Sequence, residues 1–533
     1  TLNSLSGSVN MAAVTGSSGG SVRVGLDNME EMPLYVMKSD NVSSLFITSD
    51  DPSNQGRDFV DGSKSNKTTA KMKLVSENGS VVYDGALTQV KARGNTTFAN
   101  APKKSYQIKL KNKTDLINCG EKNKTWVLLA GYFDATQLHD KTYKDLAAAI
   151  GMPYVPNSDW VDLYYDGEYR GTYLLGEKNS IGNSGIDITD MEDVYSQSNK
   201  DYGANETTAT AENRFGATYQ YTENLTEPDN ITGGYLLELN LSGYDEASGF
   251  NTTHGASVNV KSPEWCGKDA MKYISEYYQE FEDAVYATDA NGAHTGYNAQ
   301  TCKYYYDYCD LTSLVQMYLL EELSSNVDGF YSSFYFYKDA DGIMYAGPVW
   351  DMESTSGTGW SGYIDPQLEF INGRYLAKAL VQIPGFMTAV KDYYNNTFKS
   401  AAMQLIGSNG TLNSNAQRIN ASTAMNYTLW PYVRVGNPNS SSHLWPGATY
   451  NTVVQDMVSW MGTRISALDK SLSNGSSEPV DPTVPVGPTK PVNPEKRAYI
   501  VEANYYTNNQ KDNSSPIILT SGSADVDTTV NVS

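Results

Sequence analysis

Two aspartates bracket the stretch "NVDGFYSSFYFYKDADGIMYAGPVWDMESTSG": Asp328 near its start and Asp351 near its end. Between them run two aromatic-rich segments joined by an acidic turn containing Asp-Gly, the pattern of a β-hairpin. An out-and-back hairpin returns its ends to one place, so this spacing brings two carboxylates to a common mouth. Carboxylates so placed can divide labour. One accepts a proton from a hydroxyl, while the other holds Mg2+, a hard cation that prefers oxygen ligands. Glu353, two residues beyond Asp351, invites a glycosidase reading, but adjacency in sequence does not set the distance at which two acids must flank a glycosidic bond. Two other patterns lack their context. "GSSGG" at Gly16–Gly20 has neither the strand nor the helix of a nucleophile elbow. "GTGWSG" from Gly357 opens no βαβ unit. No Walker-type phosphate loop occurs.

The elements around the hairpin predict an α+β chain that is β-rich first and helical later. Residues 31–130 hold short β-runs ("PLYVM", "SLFIT", "AKMKLV", "SVVYDG", "SYQIKL", "TWVLLAG") split by Gly, Asn and Asp turns. "HDKTYKDLAAAIG" reads as a helix closed by Gly151, and "WVDLYYDGEYRGTYLLGEK" as a hairpin turning at Asp166-Gly167. Residues 182–230 are polar and read as a long surface insertion; "GGYLLELN" reads as a strand. From 267 onward helices dominate: Met271, Ile274, Tyr278, Phe281 and Val285 fall at helical spacing, Asp310 is placed as an N-cap, and a third helix covers about 451–472. The expected organisation is a lead over 1–30 (flexible, or a frayed strand), a main domain over 31–474, a Pro-rich linker over 475–497 and the start of a small β module over 498–533.

A formal net charge of −22 argues against nucleic acid as a partner, because phosphate binding needs a basic face. No run of eighteen or more apolar residues is present to span a membrane. No leader-type segment opens the sequence, which is expected of a chain starting after a cleavage site or other boundary. Frequent Asn-x-Ser/Thr triplets and the Asn-, Ser- and Thr-rich surface fit a secreted or cell-surface protein. The four cysteines are Cys119, Cys266, Cys302 and Cys309; either Cys302 and Cys309 close a small disulfide loop or all four are buried thiols. Four scattered histidines make a His-based zinc site an unpromising reading.

Five blocks, in order, carry a resemblance: "RGNTTFANAPKKSYQIKL", "WVLLAGYFDATQLHDKTYKDLAAAIG", "VDLYYDGEYRGTYLLGEK", "GGYLLELN" and "NVDGFYSSFYFY…GPVWDME". From about Leu34 to Leu472 the chain resembles the spore-coat-protein-H (CotH) family of secreted atypical protein kinases. The resemblance implies a kinase-like fold without a glycine-rich loop, ATP and a divalent metal (Mg2+ or Mn2+), and a Ser/Thr-containing extracytoplasmic protein as acceptor. By matched position Asp328 resembles the catalytic aspartate and Asp351 the metal-binding one. Lys103 or Lys104 is the implied phosphate contact; strand alternation puts Lys104 on the face of Tyr106 and Ile108, with Lys103 opposite. Arg93 and Glu177 are expected to support the nucleotide, and Tyr345 or Trp350 to stack on adenine. Ser333 stands where the family usually has an Asn that helps hold a second metal, Glu353 where it has Asp, and His139 where Arg is frequent. An alternative is a non-catalytic kinase-like adhesion or cell-surface-assembly protein, for instance in a cellulosome-like assembly, which the Pro-rich spacer and appended module favour.

Overall fold

Strand Lys67–Val75 alternates lysine or threonine outside with Thr68, Ala70, Met72 and Leu74 inside. That period of two commits one face to a core. Six more strands share that core. The computed structural model describes residues 41–182, 185–204, 206–358, 363–430 and 449–473, with backbone alone for strand segments between 21 and 37 and between 496 and 525. Strands β1 (Ser43–Ser49), β2 (Lys67–Val75), β3 (Val81–Arg93), β4 (Ser105–Thr114), β5 (Asn123–Leu129), β6 (Ser158–Tyr165) and β7 (Glu168–Glu177) close into a barrel in the order β1-β2-β3-β4-β5-β7-β6. The parallel pair β1–β6 shuts it, and every other neighbour pair is antiparallel. Tyr106, Ile108, Trp126, Leu163, Tyr165 and Tyr173 are among the residues that fill it.

A second, seven-stranded antiparallel sheet follows: β8 (Thr208–Glu212), β9 (Thr218–Thr222), β10 (Tyr235–Asn240), β11 (Gly249–Asn251), β12 (Ser257–Ser262), β13 (Ser332–Lys338) and β14 (Met344–Ala346), ordered β8-β9-β11-β12-β10-β13-β14. Leu237 and Leu239 of β10, Val258 and Val260 of β12, and Phe334 and Phe336 of β13 join the large core built with the helices. Alternation therefore turns Glu238, Lys261 and Tyr335 to the other face. The expected hairpin 332–346 is thus also the edge of a larger sheet. The principal helices are α1 (His139–Ala149), α2 (Lys268–Tyr286), α3 (Leu311–Ser324), α4 (Thr411–Leu429) and α5 (Tyr450–Leu472). Met271, Ile274, Tyr278, Phe281 and Val285 are all buried, and Asp310 caps α3 through the Ser313 amide at 2.7 Å.

The polar region 182–230 is more ordered than its composition suggested. It holds helix Met191–Ser198 and the β8–β9 hairpin, whose strand β9 pairs with β11. Few apolar residues are needed there because the sheet itself supplies partners for the backbone. The four cysteines are free thiols; Cys309 is buried and Cys302 exposed, which excludes both cysteine expectations. Ser21–Leu26 of the expected lead, Met29–Met37 across its boundary with the main domain, Ile517–Asp525 of the expected terminal module and Lys496–Ala503, which begins in the expected linker, line up as a four-stranded sheet in that order. The motif at Gly16–Gly20, nearly all of the Pro-rich linker and most of the motif after Gly357 lie outside the described residues.

Candidate active site

The barrel and the second sheet border a cleft of about 650 Å³, a volume suited to a nucleotide-sized ligand. Arg93 and the turn Gly94–Thr97 contribute from the end of β3; Asp328, Ser333, Trp350 and Asp351 contribute from the hairpin region. Gly94 has φ +98, and a Cβ there would lie 2.1 Å from Thr97 Oγ1, so the turn after Arg93 requires glycine. Both bracketing aspartates line this one cleft, as the hairpin geometry required.

The backbone is bent to deliver them. Ser325, Phe330, Ser333, Asp351 and Ser356 all have φ between 48 and 58, a region that costs non-glycine residues of order 1–3 kcal/mol each. The register of β10 against β13 shifts between Leu239 and Asn240, leaving Ser333 as the extra residue of a bulge. Consecutive residues of a regular strand face opposite ways, yet Ser332 and Ser333 both line the cleft. The Ser333 hydroxyl then donates to Asp351 Oδ2 at 3.1 Å.

Asp351 is exposed to the cleft while protein atoms crowd it on the other sides. Its carboxyl is pushed up from the usual range, first by burial and then by the nearby charge of Asp140; Ser333 and Arg93 oppose the shift. The exposure is what matters for a ligand, since it leaves the carboxylate within reach. Asp140 itself holds Lys144 at 2.8 Å and accepts from the Met352 amide at 3.3 Å. Glu353 accepts from the Phe133 amide at 2.7 Å; burial, with Asp351, Asp134 and Asp140 nearby, pushes it up to about 8. Among the described residues no three His, Cys, Asp or Glu side chains converge into a metal cage. The repulsion between Asp140 and Asp351, with one hydroxyl beside the latter, still fits a divalent cation. Mg2+ is ordinarily held by one or two carboxylates and completed by phosphate and water.

Asp328 sits in the loop after α3, half-buried, its amide bonded to Asn326 Oδ1 at 3.0 Å. Its carbonyl accepts from the amides of Tyr331 and Ser332 at 2.8 and 2.9 Å. Arg374 braces the loop through the Val327 carbonyl.

The remaining expected residues separate. Arg93 lies in the cleft, with its guanidinium carbon 5.4 Å from the centre of the Trp350 ring. Lys144 approaches that ring to 5.1 Å, so Trp350 lines the cleft as a partner of two cations. Lys103 and Lys104 are outside the cleft lining. Lys103 is fully buried: its amine donates to the carbonyls of Ala130, at 2.6 Å, and Thr172, and lies 4.5 Å from the Tyr173 ring. Burial drives its pKa well below the usual lysine value. Gly171 makes this possible, since a Cβ there would lie 3.1 Å from Lys103 Cε and 2.3 Å from Asn426 Oδ1. Lys104 donates to the carbonyls of Phe98 and Ala101 and sits 4.9 Å from the Phe98 ring. Glu177 is buried against Asn123 at 2.8 Å and the Asn157 amide at 2.7 Å. Tyr345 stacks on Tyr337 at 5.4 Å. Glu177 and Tyr345 are likewise outside the cleft lining.

The family model for CotH kinase protein matches residues 90–468, well over half of the chain. The chain belongs to the CotH kinase family. The match starts at Val90, so the N-terminal part of the resemblance, from Leu34, lies outside it. Comparison with curated proteins returns no match. Membership supports a kinase-type activity and, in general terms, use of ATP and a divalent cation. Among the described residues no helix is long and apolar enough to cross a membrane.

Several cleft residues were not singled out from the sequence. Asp140 pairs with Lys144 four residues on in α1, a spacing that signals a helical ion pair but does not say that Asp140 lines a site. Lys178 follows Glu177 directly, inside a block that was recognised. Glu238, Lys261 and Tyr335 had only strand parity to mark them, and parity becomes informative only once the buried face is known. Tyr335 donates to Glu238 Oε1 at 2.8 Å, and Lys261 pairs with Glu238 at 3.2 Å.

Proposed function

We propose that this protein is a metal-dependent protein kinase that transfers the γ-phosphoryl group of ATP to a Ser or Thr hydroxyl of an extracytoplasmic protein. The observation that carries the reading is the convergence of Asp328 and Asp351 on one nucleotide-sized cleft, with Arg93 beside Asp351. Asp328 accepts the proton of the acceptor hydroxyl and orients it. Asp351, with the Ser333 hydroxyl, holds the divalent cation, which neutralises charge on the phosphates when bound. Arg93 stays protonated despite its burial, because guanidinium is a very strong base, and supplies positive charge beside the metal carboxylate.

The test is transfer of labelled phosphate from ATP to a Ser/Thr-rich acceptor, or to the protein itself, with nucleotide affinity measured in parallel. Asp328→Asn keeps the size of the side chain and removes its charge. It is expected to abolish transfer and leave ATP affinity close to wild type, since its contribution is realised in the transition state. Equal transfer by variant and wild type refutes the role of Asp328. No transfer by wild type with Mg2+ or Mn2+ across several acceptors favours the non-catalytic alternative, for which the replacement of the usual Asn by Ser333 is the specific observation.

A further inference from the structure

Arg93, Lys178 and Lys261 are three of the five cations that line the cleft, the others being Lys64 and Lys91: Arg93 ends β3, Lys178 follows β7, and Lys261 lies on β12 of the second sheet. Arg93 and Lys178 come from the barrel side and Lys261 from the opposite wall. We propose that Lys178, with Arg93 and Lys261, forms the seat of the nucleotide's polyphosphate, in place of Lys103 and Lys104; this rests on reading the cleft as a nucleotide site.

The other lysines near the barrel are in different situations. The amines of Lys103, Lys104 and Lys144 are each bonded, to carbonyls or to Asp140, and Lys64 is held by Asn95 Oδ1 at 2.6 Å. Lys178 is open to the cleft and, among the described residues, its amine makes no hydrogen bond or ion pair. After burial, the charges it feels most are those of Lys261 and Arg93, both repulsive; Glu192 gives a smaller attraction and Lys91, also in the cleft lining, a smaller repulsion. A cluster of like charges raises the free energy of the ligand-free state, and a polyanion placed among them relieves it. Lys261 is aimed by Glu238 and Glu246, so it enters the cluster from a fixed position. Arg93 links the two halves of the site, because it feels Asp351 as its strongest attraction and also faces Lys178. A triphosphate spanning from Lys178 past Arg93 to Asp351 meets ammonium and guanidinium first and the metal carboxylate last. That order suits the terminal phosphate being the one that reacts. A single carboxylate ligand would satisfy one cation only, so the observations favour a polyphosphate.

The test uses the full chain with Mg2+ and three probes, inorganic tripolyphosphate, ATP and adenosine, followed by calorimetry and thermal shift. Lys178→Met keeps length and removes charge; Lys178→Arg keeps the charge. The Met variant is expected to bind tripolyphosphate and ATP about tenfold or more weakly, as for loss of one charge-assisted contact. Adenosine affinity should be unchanged, and the ligand-free melting temperature equal to or above wild type. The Arg variant should recover most of the binding, and Lys104→Met should have no effect. Wild-type tripolyphosphate affinity in Lys178→Met, or no tripolyphosphate binding by wild type, overturns the proposal. The two readings fail separately. Phosphoryl transfer by wild type with unaltered ATP binding in Lys178→Met removes this seat and leaves the kinase. Binding that depends on Lys178 without any transfer keeps the seat and removes the kinase.

Discussion

Glu321 lies on α3 directly beneath the loop that carries Asp328. It is 2% exposed, and among the described residues its Oε2 has no hydrogen-bond partner. A Cβ on Gly329 would lie 2.8 Å from that oxygen, so the loop rests on the carboxyl group. Burial pushes the Glu321 pKa up to about 8; Asp328 and Asp351 add to the shift, while a hydrogen bond from Asn326 and the charge of Arg374 oppose it. An unfolded glutamate titrates near 4.3. Between those values the folded chain binds a proton that the unfolded chain has released. The contribution of Glu321 to stability is therefore greatest below about pH 4.5, declines as pH rises, and levels off above about 8. The slope is at most about 1.4 kcal/mol per pH unit, and the whole effect is on the order of 5 kcal/mol.

Glu321→Gln has nearly the same shape and cannot ionise. Urea unfolding of both proteins from pH 5 to 9 isolates the effect as a difference. The variant should lie closest to wild type near pH 5, within about 1 kcal/mol, and exceed it at pH 8–9 by a few kcal/mol, with a shallower slope between. Glu353, pushed up to about 8, and Asp162, pushed up to about 6, act in the same direction in both proteins and cancel in the comparison. Parallel stability curves would show that Glu321 is ionised in the folded state and that the loop is held by charge. If the neutral carboxyl is what supports the loop, phosphoryl transfer should survive in the glutamine variant.

Asp351→Ala should remove the rise in melting temperature that ATP and Mg2+ together produce, while the ligand-free value stays within a few degrees of wild type; an unchanged rise excludes Asp351 as the metal carboxylate. Arg464 and Glu322 form an ion pair in which both side chains are almost fully buried, and Arg464 also binds the Glu322 carbonyl at 2.7 Å. Arg464→Met should cost about 3–5 kcal/mol in urea unfolding, with partial recovery on adding Glu322→Gln, because the single change leaves a buried charge uncompensated. A chain ending at Asn474 loses Lys496–Ala503 and Ile517–Asp525 but no cleft residue. It should stay soluble and bind ATP as the full chain does, and lost binding would show that the terminal strands support the main domain.

The elements legible in the sequence were those with strong local signals. Asp166-Gly167 turned the β6–β7 hairpin, Asp310 capped α3, and the 3.6-residue period of 268–286 placed α2 correctly. The convergence of Asp328 and Asp351 on one cleft was legible because a hairpin constrains its own ends. The lysines were harder. In "PKKSYQIKL" the parity argument correctly put Tyr106 and Ile108 on one face, since both lie in the barrel core, and Ser105 and Gln107 line the cleft on the other. Parity fixes the direction of Cα–Cβ bonds but not where a four-carbon stem ends. The Lys103 amine is drawn to two carbonyls that only the closed barrel brings near. The role of Lys178 was equally hidden, because repulsion among Lys178, Arg93 and Lys261 exists only after two sheets meet.

The irregular backbone explains why the site resists local reading in general. A regular β13 would turn either Ser332 or Ser333 away from the cleft, and its ladder to β10 would run on without a break. The bulge at Ser333 gives up a paired position and accepts a left-handed φ, so that its hydroxyl can reach Asp351, itself left-handed. Local preference opposes both conformations, since neither residue is glycine. They persist because the surrounding structure over-determines them: Phe334 and Phe336 anchor one side of β13 in the core, Trp350 packs between two cations, and Glu353 ties the following segment to Phe133. That surrounding packing, working against the local strain, disfavours any alternative in which Asp351 drifts from the Ser333 hydroxyl. On the proposed reading of Asp351 as the metal carboxylate, the side chain is held in position before a cation arrives, and binding need not order it.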